Sequence, residues 1–385
     1  MKKNTVYYWK VLLLLTVLPG IVGSCNISGE EENKKDDPNS IAIMTWNMQA
    51  LFDGNDDGNE YDEYRASAGW SAEKYRGRIT VISKVINGMN TIPDIIAVQE
   101  VESAVVMEDL AASLSGHKYK WTHFGINPDM SLGIGIISRF PIEKSKVHSI
   151  TIDGDTTPRP VLEVRIKTEK SMNEPALNDQ GSLVIFVCHW KSKLGDEILT
   201  ENTRRASARI ILRRIRELAQ EEPDIPVIVL GDLNENHDEF YRKNGEIICA
   251  LLPDDPHSAE LTGFYGSLEY DDVMSAELQQ DFIILSKLKP PKARYFSGKP
   301  LTLYTPWTVE LENGSYYYKN NWETIDHFLL SSELFNGKGW EFDDCSVVDY
   351  SPFGSSSGRP FAYNPRTGSG ISDHLPLLLF LKWQE

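Results

Sequence analysis

The chain has 385 residues and a net charge of −17. A surface of that sign excludes a global basic field for gathering nucleic acid, so any polyanion must be held by a local patch or by a metal ion. Four cysteines are present; Cys25 lies in a leader-like start, and the odd three that remain, Cys188, Cys249 and Cys345, exclude a disulfide framework.

The first element is that leader. Lys2, Lys3 and Lys10 precede the apolar run "VLLLLTVL", and small residues follow in "VGSC". A charged start, an apolar middle and small residues before a cut are the marks of an export signal, and the run is too short to span a bilayer. Val22-Gly23-Ser24-Cys25 resembles the lipobox of bacterial lipoproteins. That resemblance implies a signal peptide over 1–24, lipidation of Cys25, and a place in the bacterial cell envelope, periplasmic or surface-exposed. The membrane is then met through the lipid anchor only. Residues 25–39 hold dense charge and no aromatic residue, which predicts a disordered tether. Its acidic run resembles the surface-export signals of some Gram-negative lipoproteins. No internal repeat or second linker follows, so residues 40–385 are read as one catalytic domain.

In that domain the strand-like runs are short and rich in Val and Ile: "IAIMTWNM" from Ile41, "DIIAVQEV" from Asp94, "GIGIISRF" from Gly133 and "PVLEVRIK" from Pro160. They continue with "LVIFVCHW" from Leu183, "PVIVLGDLN" from Pro226, "IDHFLLS" from Ile325 and a closing run from Leu375 to Leu381. Two helices are predicted. Glu73 to Met89 sets Ile79, Ile82, Ile86 and Met89 on one stripe, and Glu201 to Glu222 does the same with Ala208, Ile211, Ile215 and Leu218. The second helix carries six arginines between Arg204 and Arg216, read as an outer face paired with local acids. Helices among many strands, without a strict βαβ rhythm, suit a layered α/β fold with two packed sheets and helices outside. Phe240 to Asn321 is the least regular stretch; "TGFYGSLEYDD" and "ENGSYYYKNNW" read as long loops.

The polar ends of the strands form a pattern: Trp46-Asn47, Gln99-Glu100, His189-Trp190-Lys191-Ser192-Lys193, Asp232-Leu233-Asn234, Asp326 and Asp373-His374. One polar strand end means little, but six core strands that all deliver carboxylates, amides or imidazoles describe a site on rigid supports. Asn47, Glu100 and Asp373 are hard oxygen donors of the kind that hold Mg²⁺ or Mn²⁺. Asp232 with Asn234 can hold and deprotonate a water. His189 and His374 can donate to phosphate oxygens, each with an acid to fix its tautomer. Arg159 can add a fork of donors, and Lys191 and Lys193 flank the same place. The chemistry is in-line attack of water on a phosphoester. His327 should face away from Asp326 along its strand, His237 and Asp238 read as turn residues, and Asp53, Asp56 and Asp57 lie in an acidic loop without the EF-hand register.

The ordered set "TWN", "QE", "PRP", "HWKSK", "GDLNE", "IDHFLLS" and "SDHLPL" resembles the endonuclease/exonuclease/phosphatase superfamily, which includes pancreatic-type deoxyribonuclease, bacterial sphingomyelinases and inositol polyphosphate 5-phosphatases. The match runs from Trp46 to Pro376. It implies a four-layer α/β sandwich, two packed mixed β-sheets flanked by helices, with the site at one end of the sheets. It also implies roles: Asn47, Glu100 and Asp373 at the metal, Asp232 on the attacking water, Asn234 and Arg159 on phosphate, His189 and His374 on the scissile group, and Asp326 orienting His374. Gln49 departs from the pattern, since repair-type members carry Asp there, and this argues against abasic-site repair. The substrate expected is DNA or RNA. A phosphatase or phosphodiesterase acting on inositol phosphates, lipid headgroups or nucleotides is the alternative, and a non-catalytic surface binding lipoprotein is the third reading. No protein partner is evident.

Overall fold

The computed structural model describes residues 39–152, 154–157, 159–168, 181–245, 247, 249–254, 281–289, 301–307 and 313–385. The expected export signal, Cys25, the expected tether and "TGFYGSLEYDD" lie outside the described residues. The strands of the first half are β1 (Ser40–Leu51), β2 (Ile95–Val101), β3 (Trp121–Gly125), β4 (Gly133–Ser138), β5 (Ile142–His148), β6 (Val161–Lys167) and β7 (Ser182–His189). The second half adds β8 (Val227–Asp232), β9 (Leu251–Pro253), β10 (Ile283–Ser286), β11 (Thr302–Tyr304), β12 (Tyr316–Tyr318), β13 (Asn321–Glu323), β14 (Asp326–Leu330), β15 (Gly339–Val347) and β16 (Leu377–Gln384). Helices α1 (Ala72–Asn87), α2 (Ala104–Ser113), α3 (Glu197–Glu221) and the short α4 (Glu239–Arg242) lie between them.

Two mixed sheets result. One has six strands in the order β15-β16-β1-β2-β4-β3, the other eight in the order β9-β10-β11-β14-β8-β7-β6-β5. Successive side chains of a strand point to opposite faces, so a strand apolar at every position must be covered on both sides. In β1, Ile41 and Ile43 enter the core between the sheets. Met44, Trp46 and Met48 point the other way, into a core with Ile79, Ile82 and Ile86 of α1 and Val106, Met107 and Leu110 of α2. In β8, Ile228 and Leu230 face the first sheet, while Val227 and Val229 pack on Ile211, Ile215 and Leu218 of α3. The layers are therefore helix, sheet, sheet, helix, which is the four-layer sandwich expected. Each fully buried Val, Leu or Ile contributes about 1.5–3 kcal/mol. The helix stripes supply the outer layers and the strand alternation supplies the rest.

Several elements differ from the sequence reading, for a common reason. The strands without a recognisable apolar run include β3, β15, β5 and β9, which sit at the four sheet edges. An edge strand is half solvated and carries charge to blunt pairing: β5 reads "IEKSKVH" with five exposed positions in its middle. The stretch read as a loop around "GSYYYKNNW" is instead the hairpin β12–β13, with Tyr316 opposite Glu323 and Tyr318 opposite Asn321. Lys319 and Asn320 at its tip have φ of 46° and 67°, the left-handed pair that a two-residue hairpin turn needs. The closing strand starts at Leu377, leaving Asp373 and His374 in the loop before it. The predicted second helix starts earlier, at Glu197, after Asp196 accepts from the Leu199 amide at 3.0 Å.

The arginines of α3 are paired as expected, Arg205 and Arg209 with Asp281 and Arg214 with Glu163. Arg204 is the exception to a solvated face: it is buried between Glu201 and Glu235. Gly231 precedes Asp232 at φ 124°, and a Cβ there would meet the Cys188 carbonyl oxygen at 2.0 Å. Gly231→Ala is therefore expected to destabilise the protein by about 3 kcal/mol or more, read as a fall in the thermal unfolding midpoint together with loss of activity.

Candidate active site

The rows of side chains that fill the space between the sheets end in polar residues at one edge. Ile41 and Ile43 lead to Thr45 and Asn47; Leu183, Ile185 and Val187 lead to His189; Ile228 and Leu230 lead to Asp232; Leu330 and Phe328 lead back to Asp326. Ladder register puts Asp232 beside His189 on one neighbour and beside Asp326 on the other. The sheets then meet across the gap, where Asn47 Nδ2 donates to Asp232 Oδ2 at 3.0 Å and to Glu100 Oε1 at 3.4 Å. Asn47, His189, Asp232 and Asp326 are each at most 2 % exposed. Polar side chains buried so deeply need partners: Asn47 donates to Asp232, Arg159 donates to His189, and Asp326 accepts from Ser315 and meets His374.

The two histidines are held in opposite charge states. Arg159 Nη1 lies 2.6 Å from His189 Nδ1. A guanidinium can only donate, so Nδ1 accepts and the ring proton sits on Nε2. Burial depresses His189 well below its ordinary value, with Arg159 and His374 adding to the effect. Its Nε2 faces Asp232 Oδ2 at 3.6 Å and Glu100 Oε1 at 3.7 Å. His374 Nδ1 instead meets Asp326 Oδ2 at 2.8 Å, and Ser315 Oγ donates to the same oxygen at 2.6 Å. Burial would lower His374 too, but the Asp326 charge and hydrogen bond outweigh it and the imidazole rises to about 10. His374 Nε2 stands 4.0 Å from Asp232 Oδ2. Burial pushes the Asp232 carboxyl up to about 7, against the pull of His374 and with the help of Asp326.

The loop that carries His374 is fastened to β1. Trp46 Nε1 donates to the His374 carbonyl at 2.9 Å, and Ser372 Oγ donates to the Asn47 carbonyl at 2.7 Å. Beyond Asn47, β1 bends at Gln49 and Ala50, which have φ of 50° and 56°; Glu100 on β2 has φ of 61°. Such residues cost about 1–3 kcal/mol each unless their surroundings enforce them. Here the bend turns two amides onto the site: Gln49 N donates to Asn47 Oδ1 at 2.9 Å and Ala50 N to Glu100 Oε2 at 2.8 Å. The carbonyls of Met48, Gln49 and Ala50 all accept from the guanidinium of Arg78, a buried residue of α1. The Tyr363 ring covers that guanidinium at 3.9 Å. Gln49 meets Tyr363 twice through its side chain, at 3.1 and 2.6 Å. Its departure from the repair pattern is thus used to pin the loop around Tyr363.

Glu100 and Asp373 form the oxygen-rich side, while Asn47 turns Nδ2 toward Glu100 and Asp232 and its Oδ1 accepts from the Gln49 amide. Burial raises Asp373, His374 opposes, and the like charge of Glu100 adds. Hard oxygen donors that repel one another fit a small divalent cation. Three further acidic groups are already satisfied from within. The carboxylates of Glu201 and Glu235 hold Arg204 and the amides of Ala250 and Leu251. In the acidic loop the Asp57 and Gly58 amides occupy both oxygens of Glu60. The third group is Asp232, Asp326 and His374, in which His374 is bonded to Asp326 at 2.8 Å and stands 4.0 Å from Asp232.

The other expected residues are placed less directly. Asn234, at φ 51°, uses Nδ2 on the Trp190 carbonyl at 3.1 Å. Lys191 is half-buried. Lys193 is engaged by Glu239 at 2.5 Å and Glu323 at 3.3 Å, so its charge is spent on an ion pair. His327 faces away from Asp326, as alternation requires, and meets the Glu235 carbonyl at 2.8 Å. Sequence reasoning missed Arg78, Ser315 and Tyr316. Arg78 leaves a trace, a charge beside Ile79 in an otherwise apolar helix stripe. Tyr316 stacks on His374 with ring centres 4.6 Å apart and had no such trace.

The profile of the Endonuclease/Exonuclease/phosphatase family matches residues 42–289. The chain belongs to that family, whose enzymes hydrolyse phosphoesters with a divalent cation. Similar solved structures include an endonuclease/exonuclease/phosphatase family protein from Bacteroides thetaiotaomicron, at 14 % identity over 90 % of this chain and 95 % of that one, TM-score 0.47. The human Nocturnin catalytic domain with bound sulfate matches at 17 % identity over 91 % and 96 %, TM-score 0.44. Truncated Caenorhabditis elegans TDP2 matches at 14 % identity over 89 % and 98 %, TM-score 0.49. No curated protein sequence matches significantly.

Asp326→Asn keeps the shape of the side chain and removes its charge. It is expected to move the alkaline limb of the pH–rate profile down from near 10 toward the ordinary histidine value of 6.5, with kcat lower by about 10²-fold. The raised imidazole also means that the pair stabilises the fold fully below pH 6.5 and loses that contribution as pH rises toward 10. Arg78→Lys offers one ammonium to three carbonyls. It should weaken the activating metal by about tenfold or more, measured as the Mg²⁺ concentration for half-maximal rate.

Proposed function

We propose that the protein is an exported, lipid-anchored nuclease that uses Mg²⁺ or Mn²⁺ to cleave DNA or RNA phosphodiesters by in-line attack of water. The observation that carries the reading is Asp232, a buried carboxylate facing Nε2 of a neutral His189 at 3.6 Å and Nε2 of a charged His374 at 4.0 Å. A base whose value lies near 7 can take a proton from water at neutral pH. His374 brings a full positive charge to the phosphoryl oxygens, and His189 brings an N–H without a charge. Arg159 fixes which nitrogen of His189 donates, and Asp326 keeps His374 protonated. Asn47, Glu100 and Asp373 would hold the cation, which supplies Lewis-acid neutralisation of the phosphate when bound. The bend at Gln49 and Ala50 keeps Asn47 and Glu100 aimed through the two backbone amides.

Export and anchoring are supported by the order of the leader and by Val22 to Cys25. Beside the resemblance of "HWKSK" and "WETIDHFLLS" to extracellular nucleases, nothing else is needed to choose diesters of nucleic acid as the first substrates to try.

Protein lacking the leader and Cys25 should nick supercoiled plasmid or cut single-stranded RNA with Mg²⁺ or Mn²⁺. EDTA and Asp232→Ala should each abolish the activity. If nucleic acid survives while inositol polyphosphates or nucleotides release phosphate in a metal-dependent and Asp232-dependent manner, the nuclease assignment falls and the hydrolase stands.

A further inference from the structure

The apolar stripe of α3 does not end in solvent. Ala208, Ile211, Ile215 and Leu218 pack against β7 and β8. The same helical spacing carried back toward the N-terminus gives Arg204 and Glu201. Both are buried, at 2 % and 3 % exposure, and Glu235, which meets Arg204 from the loop after β8, is at 0 %. Arg204 Nη2 donates to Glu201 Oε2 at 2.6 Å, and Nε donates to Glu235 Oε2 at 3.2 Å. Two buried carboxylates on one guanidinium are more than anchoring a helix requires, because apolar side chains of similar volume anchor it with less desolvation.

The remaining bonds lead to the catalytic row. Arg204 Nη1 donates to the Lys191 carbonyl at 3.0 Å, just beyond His189. Asn234, the neighbour of Glu235, donates from Nδ2 to the Trp190 carbonyl at 3.1 Å. Trp190–Lys191, the guanidinium and Glu235–Asn234 thus close a ring of bonds around the ends of β7 and β8. Glu235 is fixed further by the Leu251 amide on its other oxygen at 2.7 Å and by His327 Nε2 on its carbonyl at 2.8 Å. The Asn234 amide donates to Asp232 Oδ1 at 2.9 Å. Oδ2 is then the oxygen that accepts from Asn47 and faces His189 and His374. Asn234 has φ 51°, a conformation that a residue with a side chain keeps only where its surroundings enforce it.

We propose that Arg204 and Glu235 are a positioning pair: acting through the left-handed backbone of Asn234, they set which oxygen of Asp232 faces the two imidazoles. The inference rests on the hydrolase reading above, in which Asp232 takes a proton from water, and adds the groups that aim it. Both side chains are enclosed, so neither touches substrate. Arg204→Lys keeps the charge but offers one ammonium to acceptors on three segments of the chain. Glu235→Gln keeps the shape and an acceptor oxygen, and replaces a charge-assisted bond with an ordinary one.

The test separates positioning from folding. Hydrolysis of bis(4-nitrophenyl) phosphate with Mg²⁺ is followed at a temperature where circular dichroism shows each variant folded. Arg204→Lys is expected to lower kcat by about 10²-fold and Glu235→Gln by about tenfold. KM and the Mg²⁺ concentration for half-maximal rate should stay at the wild-type values. The double variant should lose no more than Arg204→Lys alone, because the two groups act as one unit. Arg214→Lys, which alters the pair with Glu163 on the same helix, is the control and should keep the wild-type kcat. A wild-type kcat in folded Arg204→Lys, a loss carried by KM or by the metal, or an equal loss in Arg214→Lys would overturn the proposal. Failure of both Arg204→Lys and Glu235→Gln to fold would make the pair structural and overturn it too. If the wild-type protein leaves the ester intact with Mg²⁺ and with Mn²⁺, the hydrolase reading falls and the pair has nothing to aim. Cleavage by wild type with unchanged variants removes the positioning pair alone.

Discussion

The structure depends on one arrangement of charge: a carboxylate, Asp232, set out of water between two imidazoles of which only one is protonated. A buried carboxylate beside two imidazolium rings would be locked in its charged form. Beside two neutral rings it would take up a proton. One of each leaves it poised near neutrality. The rest of the molecule enforces that asymmetry. Arg159 donates to Nδ1 of His189 and keeps that nitrogen unprotonated, while Asp326, steadied by a hydrogen bond from Ser315, holds the proton on His374. Neither support sits on the same strand as the ring it governs, so the two sheets must be in register before the charges come right.

That dependence explains what was legible in the sequence. Rows of Ile, Val and Leu at every second position locate the space between the sheets, and the polar residue that ends each row, Asn47, His189, Asp232 or Asp326, lies at the site by parity alone. Glu100 breaks parity, because its left-handed backbone lets a residue of the wrong face reach the same place. A family resemblance places Glu100, but alternation does not. Edge strands were illegible because solvation removes the apolar signal from half of their positions. Spacing alone puts Lys193 near the phosphate site and does not reveal its ion pairs with Glu239 and Glu323, which are distant in sequence. Tyr316 was illegible because its role arises from a hairpin that the polar composition of "GSYYYKNNW" disguises.

Rigidity around the site is concentrated where function demands it. The left-handed residues Gln49, Ala50, Glu100 and Asn234 all border the catalytic row. They are held by backbone-directed bonds rather than by apolar packing: Arg78 takes three carbonyls, and Asn234 is clamped to Trp190. Behind them, Arg204 joins α3 to the loop after β8 through Glu235. A donor with several N–H groups can fix several carbonyls at defined angles, which an aliphatic contact cannot do. The cost is that such positions answer poorly to substitution.

The bond from Trp46 to the His374 carbonyl joins residues 328 positions apart. β1 lies between β2 and β16, so the first strand made waits for the last before its sheet closes. Long-range pairing of this kind is slow to form. During synthesis the chain therefore exists for most of its length as an incomplete sandwich in which Asn47 and Asp232 have no His374 to face. A hydrolase assembled in this order carries its own delay: it becomes competent only after the whole domain has been made and closed.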